Sequence, residues 1–332
     1  MSPRDRGQGP VRVLVTGAGG PAAIAVMRSL SADPSVQLIA ADMDSWAAGL
    51  YLVPPPDRTL IPAGDAPGFA DSLLARCQQM GASVVIPTVD AELRPLSAAR
   101  EVYARAGVQL MLAPDAGLNV TLDKLALARR CAGSVRMPRT EPFDDAFDPA
   151  DWTFPVVVKP RSGSGSRDIS VAASGQELAE LPRSADFVAQ EFLPGDEYSI
   201  DVFADLAGHV VAAVPRLRAK VDSGVSVAGR TVHDPELERF GAEVAEITNL
   251  AYIANVQARR DQAGRPALLE VNPRAPGSLA LTIASGVDMP RFAMDALRGW
   301  QVPEHVDFRE VAMVRFLDER VVELGDIQRA AA

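Results

Sequence analysis

Asn255-Val256-Gln257-Ala258-Arg259-Arg260-Asp261-Gln262-Ala263-Gly264-Arg265-Pro266-Ala267-Leu268-Leu269-Glu270-Val271-Asn272 decides how the rest of this 332-residue chain is read. Two alternating runs flank a turn centred on Ala263-Gly264, the pattern of an antiparallel hairpin. Symmetric pairing about that centre sets Asn255 opposite Asn272 and Gln257 opposite Glu270. Side chains in a strand alternate faces, so these four share one face, while Val256, Ala258, Leu269 and Val271 form a core face. Oxygen donors backed by apolar packing suit a hard divalent cation, which completes its shell with water and nucleotide phosphates. A merely solvated face would more often carry Lys, Thr and Arg. Just beyond, Pro273-Arg274 places a guanidinium where it can reach the same site and stabilise charge on a transferred phosphoryl group.

Upstream, Pro155-Val156-Val157-Val158-Lys159 is an apolar strand ending on a lysine, followed by Arg161-Ser162-Gly163-Ser164-Gly165-Ser166-Arg167. A Gly/Ser loop between two strands is either a flexible hairpin turn or a flap whose amides close over phosphates. Lys159 at the strand end favours the second. It is not a P-loop, since no G-x-x-x-x-G-K-[ST] opens a helix. In Gln190-Glu191-Phe192-Leu193-Pro194-Gly195-Asp196-Glu197, a Pro-Gly turn separates two carboxylates placed to accept from an adenine amino group and ribose hydroxyls.

The first hundred residues alternate strands (Val11–Thr16, Gln37–Ala41, Ser83–Pro87, Val108–Leu112) with helices (Pro21–Leu30 and about 91–106), which predicts a mostly parallel sheet. Gly17-Ala18-Gly19-Gly20-Pro21-Ala22 fits a dinucleotide fingerprint, and Asp42 follows the second strand where a ribose would want an acid. Three readings stay open for that turn: a nicotinamide cofactor site, a substrate site at Gly19 and Gly20, or a structural turn. Residues 113–120 read as loop, 121–131 as helix, and Phe143–Trp152 as an acidic linker. From Phe154 strands follow strands, which predicts antiparallel α+β architecture. The expected units are therefore 11–113, a helix and linker over 114–150, a small lobe over 151–192 and a large lobe over 193–332.

Composition narrows the function classes. A net charge of −10 argues against nucleic-acid binding, which needs a basic patch. No run of about 18 apolar residues is present to span a membrane, and the polar first ten residues do not read as a secretory signal. Only Cys77 and Cys131 occur, far apart, which excludes a disulfide framework or zinc site. The cytoplasm is the expected compartment.

Together these segments resemble the ATP-grasp superfamily, in the style of the ATP-binding halves of the carbamoyl-phosphate synthetase large subunit and related carboxylate–amine ligases. The resemblance implies a Rossmann-like pre-grasp domain followed by a two-lobed ATP-grasp domain with antiparallel sheets. It implies ATP and Mg2+ (with Mn2+ as substitute) as cofactors, an acyl-phosphate intermediate, and an amine or thiol as acceptor. By the same resemblance Lys124 contacts the α-phosphate, Lys159 the phosphates and adenine, and Gly163, Ser164, Gly165 and Ser166 cover them. Glu191, Phe192 and Leu193 hold adenine, and Glu197 the ribose. Gln257, Glu270 and Asn272 hold magnesium, while Asn255 and Arg274 address the γ-phosphate and intermediate. Arg216, Arg218, Lys220 and Arg230 either anchor an acidic or amino-acid substrate or form a charged loop. Small-molecule substrates, no nucleic acid, no membrane and a homodimer complete the expectation. The competing classes are a nicotinamide oxidoreductase using the glycine turn and a non-catalytic nucleotide-binding module.

Overall fold

In the computed structural model, which describes residues 9–163, 168–222 and 224–331, the chain is organised around three sheets. The first contains β1 (Val11–Val15), β2 (Val36–Asp42), β3 (Arg58–Leu60), β4 (Val84–Ile86) and β5 (Gln109–Leu110). All are parallel, in the order β3-β2-β1-β4-β5. Helices α1 (Pro21–Leu30), α2 (Phe69–Met80), α3 (Asp90–Ala98) and α4 (Arg100–Arg105) connect them. The single helix expected over about 91–106 is thus two, broken at Ala99. No element was expected over 58–80, although Phe69, Leu73 and Cys77 of α2 form a fully buried i, i+4, i+8 stripe.

The stretch read as loop before residue 121 is helical, α5 (Asp115–Thr121). Its Gly117 packs directly on the carbonyls of Thr248 and Asn249, where a Cβ would come within 2.6 Å of the latter. Close approach selects glycine there, and that glycine hides the helix from a propensity reading. Next comes α6 (Lys124–Cys131), whose N-cap Asp123 accepts from the amides of Leu125 and Ala126.

The second sheet holds β6 (Thr140–Pro142), β7 (Val156–Pro160), β8 (Ser170–Ala172) and β9 (Phe187–Glu191), antiparallel in the order β6-β9-β7-β8, with α7 (Gly175–Ala179) alongside. β6 immediately precedes Phe143–Trp152, the stretch read as linker. Phe143, Phe147 and Trp152 of the same stretch are core residues, packing on Val156, Val158, Leu178 and Ala189. Their acidic neighbours disguise them as linker, while the aromatics carry the burial.

The third sheet comprises β10 (Glu197–Ala204), β11 (Val210–Asp222), β12 (Val225–Thr231), β13 (Tyr252–Arg260), β14 (Pro266–Asn272) and β15 (Ala312–Val314). It is antiparallel, in the order β14-β13-β10-β11-β12-β15. Helices α8 (Pro235–Ile247), α9 (Leu279–Ala284), α10 (Met289–Leu297) and α11 (Leu324–Ala331) complete the chain. The segment Pro215–Lys220, for which a charged loop was one reading, is continuous strand within β11.

Core continuity separates these units. One apolar cluster joins Val13, Val15 and Val26 of the first sheet and α1 to Phe203, Val214, Met289 and Ala293. Another joins Leu14, Ile39 and Leu93 to Ile200, Val256 and Leu268. The parallel sheet and the six-stranded sheet therefore share two apolar cores, whereas the four-stranded sheet has its own. A unit with a separate core can change its angle to the rest without opening that rest.

The key hairpin pairs Asn255 with Asn272 and Gln257 with Glu270, but a bulge after Gln257 sets Ala258 opposite Leu268. The extra residue turns Leu268 into the core at 0% exposure, and the core position expected for Leu269 is taken by Leu268. Leu268→Ala should therefore cost about 2–5 kcal/mol in urea unfolding. Leu269→Ala should cost less than half as much; equal losses would contradict the bulged register.

Candidate active site

The site lies where α6, the end of β7 and the β13–β14 face converge. The Asp123 carboxylate caps α6 and also accepts two bonds from Arg161 Nε and one, at 2.6 Å, from Nη2. That ion pair ties the start of α6 to the end of β7, and the Lys124 amide donates to Arg161 O at 2.9 Å. Lys124 is thereby aimed inward: its Nζ donates to Gly163 O at 3.1 Å and lies 4.0 Å from Glu270 Oε2. Neither Asp123 nor Arg161 was singled out from sequence, although an Asp immediately before a helical run is a capping signal.

Lys159 is 6% exposed at the end of β7. Burial pulls its pKa down to about 8; Glu270 and Glu197 oppose that shift and Lys124 adds to it. Two lysines from different elements thus share the field of Glu270. The chemistry of such a cluster suits an anion, which would supply the negative charge that burial of the lysines calls for.

On the sheet face, Glu270 and Asn272 are half-buried neighbours, with Asn272 Nδ2 3.4 Å from Glu270 Oε1. Gln257 pairs with Glu270 on one side and Ser199 on the other. Asn255 is buried deeper, and its amide donates to Asp201 Oδ1 at 2.8 Å. Asp201 also accepts from Arg216 Nε at 2.9 Å, Arg216 Nη2 at 2.5 Å and Thr282 Oγ1 at 2.5 Å. Asp201 and Thr282, missed from sequence, thereby fix the orientation of Asn255. Among the described residues no group of three or more His, Cys, Asp or Glu converges as a metal cage. The donors present are one carboxylate and amide oxygens, which fit a hard cation that takes most of its shell from phosphate and water.

Other predicted residues are placed differently. Arg216 is committed to Asp201 in a buried pair and Arg218 to Glu197 and Gly224 O, so neither guanidinium is free as read from a charged loop. Lys220 and Arg230 are exposed on β11 and β12. Glu197 is held between Arg218 and Arg259, whose Nη1 also donates to the hinge carbonyl of Leu193 at 3.2 Å. The Glu191 carboxylate accepts from Arg136 at 2.8 and 3.0 Å and from the Arg139 amide at 2.9 Å. Glu191, Phe192 and Leu193 line a cleft of about 670 Å3 whose lining includes none of Lys124, Lys159 or Glu270. Ser164, Gly165 and Ser166 lie outside the described residues, while Gly163 takes φ 114°, a glycine conformation. Arg274 pairs with Asp90 at the first turn of α3, bridging the first sheet's unit and the third's.

The glycine turn is closed on itself. The amide of Ala18 donates to Ala41 O, that of Gly19 to Asp42 Oδ2 at 2.7 Å, and that of Gly20 to Gly17 O. Asp42, placed for a ribose in the dinucleotide reading, is spent on the turn and on the Asp44 amide. Gly49 packs so tightly on Ala18 O that a Cβ would lie 1.9 Å away. These contacts make a packing device of the turn.

Two family models match. A PylC-like N-terminal domain matches residues 13–111, and a domain described as ATP-grasp in the biosynthetic pathway with Ter operon matches 183–320. The D-alanine–D-alanine ligase of Thermotoga maritima is 27% identical over 106 residues, 30% of this chain and 35% of the ligase. The chain thus aligns with about a third of that relative's length. Among solved structures, the N5-carboxyaminoimidazole synthetase of Staphylococcus aureus complexed with ADP superposes with a TM-score of 0.74 at 12% identity, covering 94% of this chain and 84% of that one. The biotin carboxylase domain dimer of the Hydrogenobacter thermophilus 2-oxoglutarate carboxylase, in complex with MgADP and bicarbonate, superposes at 0.73 and 16% identity, covering 91% and 73%. Among the described residues no helix is long and apolar enough to cross a membrane.

Asp201→Asn would leave the Arg216 guanidinium buried without its counter-charge. Urea unfolding should show a loss of about 3–5 kcal/mol. By contrast Glu101→Gln, which removes the exposed pair with Arg105, should change stability by less than about 0.5 kcal/mol.

Proposed function

We propose that this chain, whose residues 183–320 match an ATP-grasp domain model, is an ADP-forming ligase that activates a small carboxylate with ATP and transfers the acyl group to an amine or thiol. The observation that carries the reading is the convergence of Lys124 and Lys159 on Glu270, beside Gln257 and Asn272 on one sheet face. Two lysines on a buried, partly neutralised site suit a polyphosphate. The separate core of the four-stranded lobe supports closure over the nucleotide, which excludes water from a hydrolysable acyl phosphate.

In this reading Lys124 and Lys159 bind and orient the phosphates. Glu270 with the amide oxygens of Gln257 and Asn272 would hold Mg2+, which when bound spreads charge between β- and γ-oxygens. A substrate carboxylate oxygen attacks the γ-phosphorus as the bond to the β–γ bridging oxygen breaks and ADP leaves. The acceptor then attacks the acyl carbon, phosphate departs, and the acceptor's proton passes to solvent. Arg274, together with Asn255 in the orientation that Asp201 gives it, stabilises the transferred group and then the leaving phosphate. The hinge of Phe192 and Leu193, with Glu197, is assigned to the nucleoside. A homodimer is the proposed assembly, in keeping with the dimer named for the Hydrogenobacter domain.

The closed glycine turn disfavours a nicotinamide cofactor. ADP and phosphate release from ATP and Mg2+ should be stimulated by one class among a panel of small carboxylic and amino acids. In Glu270→Gln that rate should fall about a hundredfold. Absence of stimulation by any acid, together with no ATP binding by calorimetry, would refute the reading.

Lys159 gives a pH test. Its folded pKa of about 8 lies below that of free lysine, so the proton needed to bind phosphate is lost as pH rises through 8. ATP affinity measured by calorimetry should therefore decline above pH 8, by up to about tenfold per pH unit. Lys159→Arg, which stays charged throughout, should remove that decline.

A further inference from the structure

Arg315 is the cation that the ligase reading leaves unused. It directly follows β15, and its amide donates to Val227 O at 2.9 Å, fixing it beside β12. Its Nε donates to Ser226 O at 3.2 Å and its Nη2 to Gly277 O. Both partners are neutral carbonyls. Burial, and then repulsion from Arg216, which already has Asp201, lowers the pKa of Arg315. Among the described residues no carboxylate pairs with it. A half-buried guanidinium without a counter-ion, in a chain of net charge −10, is costly unless an anion arrives.

The anchor at Gly277 places this charge on the loop that begins at Arg274. Gly277 is three residues after Arg274, so the two anchor points are separated by at most roughly 11 Å of backbone. Arg274 donates Nη1 to Ala275 O, pairs through Nη2 with Asp90, and has a buried Nε without a partner. The loop Arg274–Gly277 therefore holds one guanidinium of its own and anchors a second, that of Arg315, and Asp90 of the first unit meets it with a carboxylate. When Arg274 engages the transferred phosphoryl group, Asp90 loses part of its partner and needs a new cation.

We propose that the carboxylate substrate is an α-amino acid, its carboxylate lying between Arg274 and Arg315 and its ammonium group on Asp90. This rests on the ligase reading and deepens it. The ammonium and carboxylate of an α-amino acid share one carbon, matching an acid and a base already in contact. A simple carboxylic acid would satisfy the guanidiniums but leave Asp90 without a cation in a partly buried site. Sites built to bind a polar group reject analogues lacking it by large factors, because the unmatched group stays desolvated.

The test measures ADP release with a series of α-amino acids and, for each, the deaminated acid of the same carbon skeleton. At least one amino acid should exceed its deaminated analogue about a hundredfold in kcat/KM. Asp90→Asn should cut the preference for that amino acid over its deaminated analogue, read as the ratio of the two kcat/KM values, about tenfold or more, chiefly through a higher KM for the amino acid. Arg315→Lys should keep the charge and part of the activity, and Arg315→Ala should raise KM further, with circular dichroism confirming that both variants fold. Melting-temperature shifts on adding the amino acid with ATP supply a readout independent of turnover. Equal stimulation by amino and deaminated acids overturns the amino-acid assignment and leaves the ligase reading standing. So does an unchanged KM in both Asp90→Asn and Arg315→Lys. Failure of every acid to stimulate overturns both.

Discussion

The pairing of β13 with β14 and with β10 is the constraint on which the site depends. In a sheet the side-chain period is two, so a slip of one residue would exchange the oxygen-bearing face for the apolar one. Asn255, Gln257, Glu270 and Asn272 face the ligand side only because Val256, Val271 and Leu268 are buried on the other. The bulge after Gln257 reinforces this. It lets the strand keep its inward leucine while Glu270 remains opposite Gln257, and it ends the oxygen-rich face before the turn.

Charges are brought to that face from separate units. Lys124 comes from α6, Lys159 from the four-stranded lobe and Arg274 from the loop after β14, where it meets Asp90 of the first unit. Two residues of the site are held by something less conspicuous: Lys124 by the Asp123 cap and that residue's ion pair with Arg161, Asn255 by Asp201. Burying Asp201 with Arg216 gains little net stability, because desolvation offsets most of the attraction. What the network contributes is orientation, since Arg216, Asn255 and Thr282 all converge on one carboxylate.

The distribution of cores divides rigid from movable parts. The first and third sheets share apolar clusters, so Asp90 of the first unit is held at a fixed place relative to the third sheet. The small lobe packs around its own Phe143, Phe147 and Trp152. Lys159 belongs to that lobe, and its contact with the field of Glu270 spans the boundary between the two bodies.

How much of this was legible followed from which physics acts locally. Apolar runs at Val11–Val15 and Val156–Pro160 and alternation in the β13–β14 hairpin report burial on one or both faces, and they pointed to the sheets and to the shared facing of Asn255, Gln257, Glu270 and Asn272. The helix at 115–121 was hidden because its Gly117 is chosen by a backbone contact with Thr248 and Asn249, more than a hundred residues away. The core role of Phe143 and Trp152 was masked by acidic neighbours whose side chains point elsewhere. The glycine turn looks identical in sequence whether its amides face a ligand or Asp42, and only the folded loop shows them satisfied internally. Arg216, Arg218 and Arg315 are equally charged on paper. Sequence by itself determined the sheet pattern and the oxygen-bearing face, because both arise from near-neighbour periodicity. Tertiary structure alone decided which arginines are neutralised and which keep unspent charge, because a counter-ion is set by distance in space and not by spacing along the chain.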